Sequence, residues 1–284
     1  IFRIVARCSP TDRTCAGRAS RLVGAALITP FQPQLLMRYA LYAFKQWLLL
    51  LLAGFVLLQL FFIGRVGFMT VVDPSSTAFE RSQAWQIVSS QGRLLWRQTW
   101  MPSEQIAKPL KRAVLASEDS AFTSHNGVWW DAVEKAWSKN AKAQAKLEAQ
   151  AAQKKNGKVV APKIVGGSTI TQQLAKNLLL SGERTLIRKG QEWVITVALE
   201  TFLTKNKILT LYLNHVEWGN GVFGAEAAAR HYFQKSASQL TEWEAARLAV
   251  MLPRPRYFEK LTQSVYLSDR AQTIMARMND VAVP

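Results

Sequence analysis

Cysteine is nearly absent from this chain. Of 284 residues only Cys8 and Cys15 are thiols, and everything after position 15 has none. A disulfide framework is therefore excluded for the bulk of the protein. A C-x6-C pair with no histidine nearby is a poor metal site, so the two thiols read as incidental. Histidine is scarce as well: residues 125, 215 and 231 are the three, with no metal-ligand spacing. Acidic residues are in short supply, 19 Asp and Glu against 36 Lys and Arg, a formal charge of +17. Such an excess calls for a polyanionic or membrane-surface partner. No internal repeat is visible. Neither a strand-rich pattern nor a βα alternation is present, which leaves a mainly α class.

What the chain does have is a long apolar run. Residues 47–63 read WLLLLLAGFVLLQLFFI, and extended back to Leu41 the run is 23 residues with Lys45 as its one charge, near enough to the end to snorkel. As a helix it spans about 35 Å, against a hydrocarbon core of about 30 Å. A buried core helix is the alternative, which a run of this length apolar on every face disfavours. A cleaved signal peptide would be shorter and followed by a small-x-small site, which is missing after Ile63. Residues 41–63 are thus expected to form an uncleaved transmembrane helix. Six arginines precede it in residues 1–40, whereas residues 64–83 hold two. By the positive-inside rule the amino end is cytoplasmic and the remainder lies outside. Beyond Ile63 the chain is still basic, with 29 Lys and Arg against 18 Asp and Glu. Nucleic acid is the generic partner of such charge, but basic groups beside an anchor point to lipid headgroups and pyrophosphates. Residues 1–40 read as a disordered, basic cytoplasmic segment. Met37 opens an Arg- and Tyr-bearing flank like a natural start, so residues 1–36 are also consistent with an over-extended reading of the gene.

Residues 64–102 read as a linker and membrane-proximal arm: VVDPSSTAFER (71–81) has linker composition, and RLLWRQTW suggests a strand or an extended arm. Residues 103–284 form the main domain. Ser103 is expected to cap a helix running toward Glu118. Thr169 with Gln172, and Thr241 with Glu244, make capping boxes. Residues 188–213 are apolar with helical period. Residues 139–163 carry seven Lys and one Glu with almost no apolar stripe, and read as a solvated, partly mobile basic insert.

Five blocks concentrate the chemistry: EDSAFTSHNG (118–127), GGSTITQQLAKN (166–177), RTLIRKGQE (184–192), KILTLYLNHVEWG (207–219) and GAEAAARHYFQK (224–235). In this order they resemble the signature set of the peptidoglycan glycosyltransferases, which polymerise lipid II either as monofunctional transglycosylases or as the first domain of bifunctional penicillin-binding proteins. The resemblance covers residues 106–258. It implies a lysozyme-like, mainly α domain with a smaller membrane-facing lobe. Neither Ser-x-x-Lys nor Lys-Thr-Gly occurs in the chain, so the penicillin-binding nucleophile motif is missing and a monofunctional enzyme is expected.

Transfer to a sugar hydroxyl needs a base, and Glu118 matches the family's catalytic glutamate, first in E-D-x-x-F-x-x-H-x-G. Phe122, His125 and Gly127 complete that motif; Asp119 is expected to orient its neighbours and His125 to be structural. A pyrophosphate leaving group needs fixed cations and donors. Ser168, Thr169, Gln172, Lys176, Arg184, Arg188 and Lys189 match the family's pyrophosphate-binding positions. Gly166 and Gly167 free the backbone there, and the start of the helix that Thr169 opens would itself attract phosphate. Glu192, the second family glutamate, either holds a divalent ion, magnesium by expectation, or orients Arg188 and Lys189. Asn214 is expected to tie the turn after its helix. Trp129, Trp130 and Trp137 fit two readings, core aromatics or a surface dipping into the bilayer.

The implied activity is polymerisation of lipid II on a lipid-linked growing strand at the outer face of a bacterial inner membrane, with other cell-wall synthesis or division proteins as partners and no nucleic acid. A lytic muramidase also needs a glutamate, but a glycan leaving group needs no pyrophosphate clamp. A non-enzymatic basic anchor would leave Glu118 and Glu192 without a role.

Overall fold

The computed structural model describes residues 33–153, 167–180 and 185–284. Expectations for residues 1–32, including both cysteines, and for Gly166, Arg184 and residues 154–163 of the insert lie outside the described residues. The chain divides into two compact units, Ile1–Leu57 and Leu58–Pro284.

The described part of the first unit is the start of helix α1 (Pro33–Phe68). Its apolar side chains, Trp47, Leu51 and Phe55 among them, are exposed on every face. A helix with no buried face suits a bilayer, and Met37–Phe68 is long and apolar enough to cross one.

The second unit begins with the last turns of α1. Gln59, Phe62, Ile63 and Val66, spaced as one helical face, are part-buried or buried there, as are Arg65 and Gly67, and Val66 and Met69 reach the core. The segment read as a linker is therefore built into the domain. Thr77 opens α2 (Ala78–Gln91) with a capping box, its side chain accepting from the Glu80 amide while Glu80 returns the bond. Glu80 is fully buried. It accepts from Gln98 Nε2 at 3.0 Å and lies 2.8 Å from His215 Nδ1, which joins three segments. Pro and Ser at 74–76 signalled a loop correctly, but the capping box that ends it was missed.

After α2 the strand expectation shrinks to β1 (Arg97–Gln98), which pairs parallel with β3 (Val222–Phe223); β3 pairs antiparallel with β2 (Glu217–Gly219). Gly221 turns between them at φ 73, where a Cβ would lie 2.1 Å from the Leu95 carbonyl oxygen. Ser103 does not cap α3 (Lys108–Glu118). It sits in a 3₁₀ turn, donates to Asn206 Oδ1 at 2.7 Å and accepts from Lys111 Nζ at 2.9 Å; Ala107 and Pro109 start the helix instead.

The rest is helical: α4 (Trp130–Gln153), α5 (Ile170–Leu179), α6 (Leu186–Phe202), α7 (Lys205–His215), α8 (Ala225–Phe233), α9 (Glu242–Met251), α10 (Pro255–Phe258) and α11 (Val265–Met278). Both capping boxes read from the sequence are present, Thr169–Gln172 on α5 and Thr241–Glu244 on α9. The periodic stretch 188–213 is two helices, broken where Thr204 caps α7. The described part of the basic insert continues α4, with Lys139, Lys142 and Lys146 exposed. One core runs through α3, α5, α6, α7, α8, α9 and α11 and strand β2, with Leu115, Leu174, Leu199, Tyr212 and Trp218 buried in it. Burying apolar surface contributes about 25 cal/mol per Å². The Trp218 indole N–H donates to the Leu248 carbonyl at 3.1 Å, so its polar edge is not stranded.

Candidate active site

Glu118 is the last residue of α3, where the helix meets α5. Gln173 Nε2 on α5 donates to Glu118 Oε2 at 2.9 Å, and the buried Tyr212 hydroxyl on α7 donates to Gln173 Oε1 at 3.0 Å. That second bond fixes which end of the Gln173 amide meets the carboxylate. Burial pushes the Glu118 carboxyl above its usual range; hydrogen bonds from Gln173 and Ser117 oppose the rise, Asp119 adds to it and Lys176 lowers it. A carboxylate shifted this way is a stronger base near neutral pH.

The rest of the first block holds this glutamate in place. Asp119 is buried and accepts from the Ile170 amide at 3.0 Å, at the start of α5, and from His125 Nε2 at 2.9 Å. The Gly127 amide donates to His125 Nδ1 at 3.1 Å, so Nε2 carries the proton given to Asp119. Gly127 has φ 87, and a Cβ there would lie 2.6 Å from Thr196 Cγ2. Thr169 Oγ1 donates to the Gly127 carbonyl at 2.6 Å. Phe122 is buried under Lys205, whose Nζ lies 4.5 Å from the ring centroid.

A cavity of about 330 Å³ opens beside this network. Ser168, Gln172, Lys176, Arg188, Lys189 and Glu192 line it, with Phe79, Gln173, Asn177 and Leu180. Glu118 connects to it through Gln173. Five of the seven residues read as pyrophosphate-binding are therefore together. Thr169 is not with them: it is buried and caps α5. The start of α5 is not open to phosphate either, because Asp119 accepts from the Ile170 amide, and Thr169 and Gln172 satisfy each other's. The cations that line the cavity are side chains, Lys176, Arg188 and Lys189. Arg188 lines the cavity, and its Nε is buried without a hydrogen-bond partner among the described residues.

Glu192 is buried and uses both oxygens on its own helix, accepting from Arg188 Nη1 at 2.9 Å and from Lys189 Nζ. Of its two expected roles, the geometry is that of orienting the cations. Among the described residues no group of three His, Cys, Asp or Glu is placed to hold a metal. Glu192 is the carboxylate in the cavity lining, and a magnesium ion there would be held by it together with pyrophosphate oxygens and water.

An apolar groove of about 380 Å³ adjoins the cavity and shares Ser168, Gln172 and Lys189 with it; Val133, Trp130, Trp137 and Trp193 line it. Trp130 and Trp137 are 69% and 77% exposed, which overturns the core reading for these two; Trp129 is half-buried. Leu186 and Ile187, at the start of α6, are 91% and 88% exposed. Asn214 does not tie the turn after α7. It clamps Met101 by exchanging two bonds, at 2.8 and 2.9 Å, and so fixes the chain ahead of α3.

Gln173 and Tyr212 were not singled out as functional residues from sequence. Gln173 lies three and four residues before Lys176 and Asn177, the spacing that puts them on one helix face. A buried tyrosine hydroxyl needs a partner, which was the available sign for Tyr212.

Comparison with known proteins agrees with this geometry. The transglycosylase family model matches residues 88–279. The biosynthetic peptidoglycan transglycosylase of Burkholderia thailandensis is 46% identical over 226 residues, covering 80% of this chain and 82% of that protein. Its counterpart in Herminiimonas arsenicoxydans is 48% identical over 239 residues, covering 84% and 96%. Glu118, the basic cavity and the mainly α, lysozyme-like domain around them belong together: this chain is a member of the transglycosylase family, among the biosynthetic peptidoglycan transglycosylases.

Proposed function

We propose that the enzyme polymerises lipid II, with the lipid-linked growing strand as donor and lipid II as acceptor. The observation that carries this is a carboxylate with a raised pKa joined through one glutamine to a cavity bearing Lys176, Arg188 and Lys189. Glu118 takes the proton from the acceptor's GlcNAc 4-hydroxyl as that oxygen attacks the donor's MurNAc anomeric carbon. The bond to the lipid pyrophosphate breaks with inversion, a β-1,4 link forms, and undecaprenyl pyrophosphate departs. Lys176, Arg188 and Lys189 meet the developing charge, and Glu192 keeps the last two aligned. Gln173 and Tyr212 hold the Glu118 carboxylate toward the acceptor.

The lipid tails fit the exposed apolar surface of Trp130, Trp137, Leu186 and Ile187, which suits the headgroup boundary of a bilayer. With α1 spanning the inner membrane, its amino end cytoplasmic, the catalytic domain is periplasmic, where other wall-synthesis or division proteins are partners. Neither Ser-x-x-Lys nor Lys-Thr-Gly occurs within these 284 residues, which supports glycosyl transfer without transpeptidation here. The test is incubation of purified protein with labelled lipid II and, separately, with finished cell wall. Polymer from the first and no soluble fragments from the second support the reading; fragments without polymer would replace it with lytic chemistry.

A further inference from the structure

The apolar run at 47–63 contains a single polar side chain, Gln59. On α1 it faces α6, where its amide and that of Gln191 exchange two hydrogen bonds: Gln59 Nε2 donates to Gln191 Oε1 at 3.0 Å, and Gln191 Nε2 donates to Gln59 Oε1 at 2.9 Å. An amide unpaired at hydrocarbon depth is strongly disfavoured, and a reciprocal pair satisfies one donor and one acceptor on each side. The same face of α1 continues into the domain through Phe62, Ile63 and Val66. Gln191 has a specific neighbourhood. It precedes Glu192, and Arg188 and Lys189 lie one turn or less before it, so whatever fixes Gln191 fixes the cation-bearing turn of α6.

We propose that Gln59 and Gln191 form an amide clamp at membrane level that makes the anchor helix a positioning element of the active site, holding Arg188, Lys189 and Glu192 at the depth where a lipid-linked pyrophosphate arrives. This rests on the membrane-anchored polymerase reading above. The clamp touches no substrate; it acts through α6. It sets how well the cations meet charge developing in the transition state, and leaves binding of the lipid tails to the exposed tryptophans.

The test compares wild type, Gln59→Met, Gln191→Met and the double variant in nanodiscs of stated phospholipid composition. Methionine keeps volume and loses the amide. Each single variant is expected to lower kcat on lipid II about threefold, in line with interhelical side-chain hydrogen bonds in membranes. KM should be unchanged, and the double variant should be no slower than either single. Spin labels at Leu60→Cys and Val197→Cys, both exposed positions, in a Cys8→Ser, Cys15→Ser background, are expected to give one narrow distance that broadens in all three variants. Wild-type kcat with an unchanged distance overturns the clamp. So does a double variant whose loss is the product of the singles, or a rise in KM alone. A narrow distance that broadens as expected in a protein that polymerises nothing supports the clamp and counts against the polymerase reading only.

Discussion

At the scale of single residues the site is a set of opposed demands on one carboxylate. Burial raises the Glu118 pKa and Gln173 restrains the rise. Glu118→Gln removes the base with little change of volume, so turnover should fall by about 10²-fold or more while the protein still binds lipid. Because the folded state holds this proton more tightly than the unfolded chain, ionising Glu118 costs stability as pH rises through its unfolded and folded pKa values. The Gln variant should therefore melt no lower than wild type at neutral pH. A lower melting point, or more than about a tenth of wild-type turnover, would reject the assignment. Gln173→Leu deletes the donor that lowers the Glu118 pKa, so the acid limb of the rate profile should move to higher pH, which a kcat/KM profile reads directly. An acid limb that stays in place would mean that Gln173 does not contact the carboxylate.

Elements show how far the sequence can be read. The two capping boxes were legible because their signal is local: a hydroxyl and a Glu or Gln three residues apart. Glu118, Lys176, Arg188 and Lys189 were legible because motif order survives without coordinates. Long-range partners were not. Nothing local says that Asp119 reaches the start of α5, 51 residues on, or that Asn214 clamps Met101 across 113. The Pro and Ser of residues 74–76 looked like a linker because composition reports the loop and not the helix packed behind it. Thr169 gives this scale its test. It caps α5 and also donates to the Gly127 carbonyl, so Thr169→Ala should cost about 1–2 kcal/mol, against about 1 for a cap alone. Chemical denaturation measures it. A loss below about 0.5 kcal/mol would show that the loop and α5 are not coupled there.

On the scale of the whole molecule, charge and apolar surface divide the labour. The apolar α1 and the exposed tryptophans suit a bilayer, and the basic cavity suits an anion delivered from it. A reporter active only outside the cytoplasm should work when fused after Pro284 and be silent when fused before Arg38; the reverse would overturn the orientation and the substrate with it. The central claim is inverting transfer from a lipid pyrophosphate with Glu118 as base, and the most direct measurement is the linkage and leaving group of the product. Labelled lipid II should give β-1,4-linked glycan by NMR, with one undecaprenyl pyrophosphate released per bond formed, and none of either with Glu118→Gln. An α-linked product, or polymer formed without pyrophosphate release, would contradict it.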